Sequence, residues 1–138
     1  MSALLITVRG YAPRSMNELL RGTNYRARAA HRKREKATLG LLMRAQNGLL
    51  PRGLEGLLRA RFVYHYCGSR PDIDGANARL KLVLDALEDM GVFAESDGQV
   101  ETTQTWRRRV RKMPERGFTL SLDPFDPARD IQPWCSRT

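Results

Sequence analysis

RPDIDGANARLKLVLDALEDMGVFAESDGQV, residues 70–100, contains the change of period on which the fold turns. From Gly75 onward Ala76, Leu80, Val83, Leu84, Leu87 and Met90 recur at spacings of three and four, the apolar stripe of a helix, and Gly91 supplies its C-terminal stop. Upstream, Leu57 to Tyr66 reads as a strand, because Leu58, Ala60, Phe62, Tyr64 and Tyr66 alternate with Arg59, Arg61 and His65. Asp72 and Asp74 therefore fall just past a strand end, at the entrance to a helix. At about 100° per residue, Lys81 and Asp85 lie one turn apart on the face away from the apolar stripe, with Asn77 beside them and Asp74 on the same side. Asp97 is free to join from the next loop.

Carboxylates gathered at a strand end repel one another unless a cation or protons neutralise them. Oxygen-only ligands suit Mg²⁺ or Mn²⁺, which keep several waters and complete their shell with substrate phosphate, so a phosphodiester is the natural substrate. Each acid alone also has a plain structural use: Asp74 as a helix cap, Asp85 as an i,i+4 partner of Lys81, Asp97 as a turn residue. Together, on a basic chain, they favour a metal site.

Asp72-Ile73-Asp74, Lys81 seven positions after Asp74, Leu84-Asp85-Ala86-Leu87, Gly91-Val92-Phe93 and Asp97-Gly98-Gln99-Val100 resemble the RusA family of Holliday junction resolvases, including its phage-borne members. The match covers the central third closely and the flanks loosely. The resemblance implies that Asp72, Asp74 and Asp97 are the essential metal-binding acids and Lys81 the partner of the scissile phosphate; on the helix, Asp85 is expected to aim Lys81 or, alternatively, to join the metal shell, with Asn77 in support. It also implies a homodimer whose paired sites nick a four-way junction symmetrically. Two positions depart from the family pattern: Gly75 replaces an Asn, and Ser96 replaces one member of an Asp pair.

The 138 residues, 41% of them hydrophobic, allow one packed core, and Lys and Arg outnumber acids by 24 to 15, a net charge of +9. Such a surplus points to a polyanion, nucleic acid before an anionic membrane. No apolar run approaches the ~20 residues of a membrane span, and Met1 to Val8 lacks the pattern of a signal peptide, so the expected location is cytoplasmic. Cys67 and Cys135 lack zinc spacing and are read as structural or tail thiols, while His31 and His65 are ordinary helix and strand residues.

Leu4 to Val8 is a first strand, Ser15 to Thr23 a loop or short helical turn, and Asn24 to Asn47 a long helix capped by Asn24, with Leu39, Leu42 and Met43 packed inward. Between Arg21 and Arg44 eight basic residues face Glu35 alone, net +7. A solvated helix face normally mixes charge signs, so Arg26, Arg28, Arg32, Lys33, Arg34 and Lys36 are expected to contact phosphates, with Tyr25 available to stack on a base. Val100 to Lys112 is a β-run whose Arg107, Arg109 and Arg111 form either a second phosphate track or an edge guard. A turn at 114–117 then leads to Phe118, Leu120 and Leu122, expected as the hairpin partner of that strand.

These readings define an α+β fold: a single domain, 1–122, with a mixed sheet and two main helices on one face in the order β-α-β-α-β-β, followed by a tail, 123–138, which Phe125 and Trp134 either tuck onto the body or dock on a second subunit. The expected activity is an Mg²⁺-dependent (or Mn²⁺-dependent) endodeoxyribonuclease that resolves four-way junctions in recombination and repair, needing no small-molecule cofactor. The alternatives are a nuclease for other branched DNA, or a non-catalytic nucleic-acid binder in which the acids only cap and turn.

Overall fold

The computed structural model describes residues 4–14 and 24–131. Expectations that fall on 15–23 and on 132–138, including Arg21, Trp134 and Cys135, lie outside the described residues, as does the side chain of Tyr25.

Alternation builds the strands and the three-to-four spacing builds the helices. β1 (Leu4–Arg9) is followed by α1 (Tyr25–Asn47), β2 (Leu58–Tyr66), α2 (Ile73–Asp89), β3 (Val100–Arg109), β4 (Gly117–Pro124) and a one-turn helix α3 (Pro127–Asp130). The strands form one mixed sheet in the order β1-β4-β2-β3. β2 and β3 are parallel, while β4 runs antiparallel to both β1 and β2. The α+β class and element order follow the sequence reading.

One expected pairing does not occur. β3 and β4 are consecutive strands but not a hairpin: β4 inserts between β1 and β2, and β3 lies alone at the far edge. Burial explains the exchange. Phe118, Leu120 and Leu122 are fully buried and belong in the sheet centre, whereas β3 is rich in Thr and Arg and has no buried residue. A polar, arginine-studded strand is stable at an edge and would waste the centre.

β1, β2 and β3 share one direction, and each crossover steps the same way across the sheet. Right-handed crossovers therefore bring α1 and α2 to the same face. There Ile6, Val8, Leu58, Ala60, Phe62 and Leu120 meet Leu39 and Met43 of α1 and Leu80, Val83 and Leu87 of α2. The opposite face carries Thr7, Arg9, Arg59, Arg61, His65 and Thr119, and among the described residues only the one-turn α3 reaches it, at Arg59.

α1 explains itself through its cap and its one acid. Asn24 accepts from Ala27 N at 2.9 Å and starts the helix. Glu35 is buried, accepting from the Tyr11 hydroxyl and, at 3.1 Å, from Arg14 N, so the segment after β1 is tied to α1. At the other end, Asn47 pairs with the backbone of Thr7 (3.0 and 2.9 Å) and Gln46 with that of Arg9 (2.8 and 2.9 Å). These two amides cover the outward-facing backbone of Thr7 and Arg9 on the outer edge of β1.

β4 continues to Pro124, two residues past the expected domain boundary, because Asp123 pairs with Arg59 at 2.6 Å. Arg59 also reaches Asp130 of α3 at 3.1 Å, so the first part of the expected tail is fastened to β2. Arg59 holds the Asp123 carboxyl below the usual carboxylate range. Among the described residues, no helix is long and apolar enough to cross a membrane.

Candidate metal centre

Asp74, Asn77, Lys81, Asp85 and Glu88 follow one another along α2 at three- and four-residue steps and so occupy one stripe of the helix. The chain then doubles back. Gly91 takes a positive φ of 75°, and Val92 N closes on Leu87 O, reversing direction directly after the helix. Gln99, buried, fixes the returning loop: its amide donates to Leu54 O and Gly56 O at 2.8 and 3.0 Å and accepts from Glu95 N at 2.6 Å. Ser96 caps the short turn by accepting from Gly98 N at 3.1 Å, which gives this serine a structural use. Asp97 thereby returns against the last turns of α2.

The result is a cluster of three carboxylates. Asp85, Glu88 and Asp97 each offer an oxygen, and these oxygens lie within 4.8 Å of one another. Asp85 is buried, Asp97 half-buried and Glu88 exposed. The Asp97 carboxyl is pushed above its ordinary value, first by burial, then by its hydrogen bond with Asp85 and by the charges of Glu88 and Asp85; Lys81 opposes this. A groove of about 360 Å³ opens beside it, lined by Asn77, Lys81, Asp97 and Thr103 among others. Asn77 Oδ1 accepts from Thr105 Oγ1 at 2.6 Å, which fixes the amide against β3.

The triad of Asp72, Asp74 and Asp97 is not brought together. Asp72 is the N-cap of α2, its carboxylate accepting from Gly75 N at 2.6 Å. A Cβ on Gly75 would come within 2.9 Å of that carboxylate, so glycine here serves the cap. Asp74 is exposed in the first helical turn. At about 1.5 Å of rise per residue, its Cα stands roughly 16 Å along the axis from that of Asp85. Asp97 has joined the C-terminal half of the stripe instead. Asp85, expected either to aim Lys81 or to join the metal shell, is a member of the acidic cluster, and Glu88 was missed. The signal was present: Lys81, Asp85 and Glu88 extend the same stripe by one more turn, with three acids then in reach of the loop.

The basic residues divide in the same way. Arg32 pairs with Asp85 at 2.5 Å and Lys36 with Asp89 at 2.8 Å, so two expected phosphate contacts are interhelical ion pairs. The acids missing from α1 are supplied by α2. Arg26, Arg28, Lys33 and Arg34 are exposed, with Arg34 also 3.3 Å from His31 Nδ1. With Glu35 turned inward, this outer surface of α1 is uniformly positive. On β3, Arg107 and Arg109 lie on the helix side and donate to Pro71 O and Gly68 O at 3.1 and 3.2 Å, clamping the loop that enters α2, and Arg109 also covers the Tyr66 ring. Arg111 is exposed at the strand end, its carbonyl oxygen 3.8 Å from Cys67 Sγ.

The donor set fits a hard cation. It is all oxygen, it gathers like charges, and its half-buried member is destabilised as a carboxylate by its neighbours, a strain that a divalent ion would relieve. Arg32 is the competing cation, already on Asp85. Neither a scan of protein-family models nor a search of curated proteins finds a significant match to the chain.

Proposed function

We propose that the protein is a divalent-metal-dependent endodeoxyribonuclease acting on branched DNA, with Asp85, Glu88 and Asp97 as the metal ligands. The observation that carries this reading is the carboxylate cluster with Lys81 beside it at one end of an open groove. Resemblance of residues 70–100 to the RusA resolvases supports it, as does the net charge of +9. Mg²⁺ is the proposed ion and a four-way junction acted on by a homodimer the proposed substrate complex. When bound, such an ion lowers the pKa of water and screens charge on phosphorus.

The side chains then have defined work. Lys81 places a positive charge beside Asp97 in the wall of the groove, where it offsets the carboxylate that an entering phosphate would meet. Asn77, fixed by Thr105, offers an amide NH₂ to a phosphate oxygen. Exposed Arg26, Lys33 and Arg34 of α1 hold flanking phosphates, which positions the strand without reading its sequence. The test is cleavage of a synthetic four-way junction, a flap and a linear duplex, each in Mg²⁺ and in EDTA. Mg²⁺-dependent cutting of the junction is the expected result. No cutting of any branched substrate would refute the nuclease reading.

A second reading has its own observation in favour: Asp72 caps a helix and Asp85 is paired with Arg32, so two of the acids have structural employment. Under it the protein binds nucleic acid without cutting it. Mg²⁺ separates the two, because an ion bound only by the native state must raise the melting midpoint.

A further inference from the structure

On the face of the sheet opposite α1 and α2, a pocket of about 350 Å³ lies between Arg9, His65 and Arg108, with Thr7, Thr119 and Glu115 around it. The strand register puts this convergence in place. Arg108 stands opposite His65 on β2, one position out of phase with Arg107 and Arg109, so it points to the open face while they point to the helices. His65 and Thr119 meet across β2 and β4, 3.3 Å apart from Nε2 to Oγ1, and Arg9 closes the far side from the end of β1.

We propose that this pocket binds a phosphate-type oxyanion. Arg9 and Arg108 are both exposed, and among the described residues neither has a carboxylate within ion-pair distance. Glu115 is the one acid lining the pocket. Two guanidiniums, an imidazole and two threonine hydroxyls supply charged and neutral donors around a concavity large enough for a tetrahedral anion, the donor set that phosphate recognition uses. His65 senses the surplus: burial lowers its pKa first, and Arg108 and Arg9 lower it further. An anion seated between the three groups reverses that electrostatic contribution. The pocket shares no residue with the acidic cluster, and the assignment stands whether or not the protein cuts DNA.

The experiment is an NMR titration of the His65 ring protons in millimolar phosphate and in chloride of equal ionic strength. Phosphate is expected to raise the His65 midpoint. Arg108→Gln, at an exposed edge-strand position, is expected to weaken phosphate binding about tenfold, and Arg9→Gln likewise, while Arg44→Gln on α1 leaves it unchanged. Identical His65 titrations in the two salts would overturn the proposal, as would an undiminished phosphate response in Arg108→Gln. A single-stranded oligonucleotide with a 5′-phosphate, compared with its 5′-hydroxyl counterpart, identifies the source. Displacement of inorganic phosphate by the phosphorylated strand alone marks a nucleic-acid end, and displacement by neither strand marks a free anion.

Discussion

The two ends of α2 carry similar acids and treat them differently. At the N-terminus Asp72 is bonded to the backbone of its own helix and Asp74 stands in solvent, where the helix dipole favours a negative charge. At the C-terminal end Asp85, Glu88 and Asp97 are crowded together where the dipole disfavours them, and burial adds to the cost. An acid explained by the structure around it says little about function. A cluster that the structure makes expensive asks for a compensating charge, and Arg32 and Lys81 meet only part of that demand.

Substitutions that separate the ends give the largest expected effect. Asp97→Asn or Asp85→Asn should abolish Mg²⁺-dependent cutting of a junction, while Asp72→Asn, which keeps a capping oxygen, should cut nearly as the parent does. The reverse ranking in a gel assay would move the metal to the N-terminal end. Next comes ligand-induced stability: Mg²⁺ at about a hundred times its Kd should add about 2.7 kcal/mol to the parent, read as a rise in Tm that Asp97→Asn lacks and Asp74→Asn retains. Arg32→Gln should sharpen this, binding Mg²⁺ more tightly because the competing guanidinium is gone.

Smaller is the cap itself. Asp72→Ala should cost about 1 kcal/mol of stability in denaturant titration without altering the Mg²⁺ response. Smallest is a pH trend. Because the folded pKa of Asp97 is raised, the native state binds more protons than the unfolded chain between the ordinary aspartate value and the raised one. Its stabilising contribution in EDTA is therefore complete below the ordinary value and is lost as pH rises through the raised one. Saturating Mg²⁺, which requires the deprotonated form, should reverse the slope. Equal slopes with and without Mg²⁺ would argue against a shared site.

What the sequence made legible follows from range. Local periodicity placed α2 and β2 to within two residues, and Asn24 marked the start of α1. The position of β4 was not legible, because neighbouring in the chain suggests a hairpin while burial of Phe118, Leu120 and Leu122 decides for the sheet centre, and burial depends on the whole fold. At the candidate site, Lys81, Asn77, Asp85 and Asp97 were all singled out, and the helical stripe was read correctly. Choosing Asp72 and Asp74 over Glu88 as partners of Asp97 failed because the path of the connection over residues 90–99, fixed by Gln99 bonding to Leu54 and Gly56, has no local signature. The missing acidic partners of α1 likewise lay 53 residues away in both pairs, on α2.

The amide clasps of Gln46 and Asn47 cover the outward backbone of Thr7 and Arg9 on β1, so among the described residues the longest uncovered sheet edge is β3. Two molecules joined strand to strand there would cover the longest free edge that either possesses. A symmetric pairing of that kind would close on itself instead of running on into a fibre.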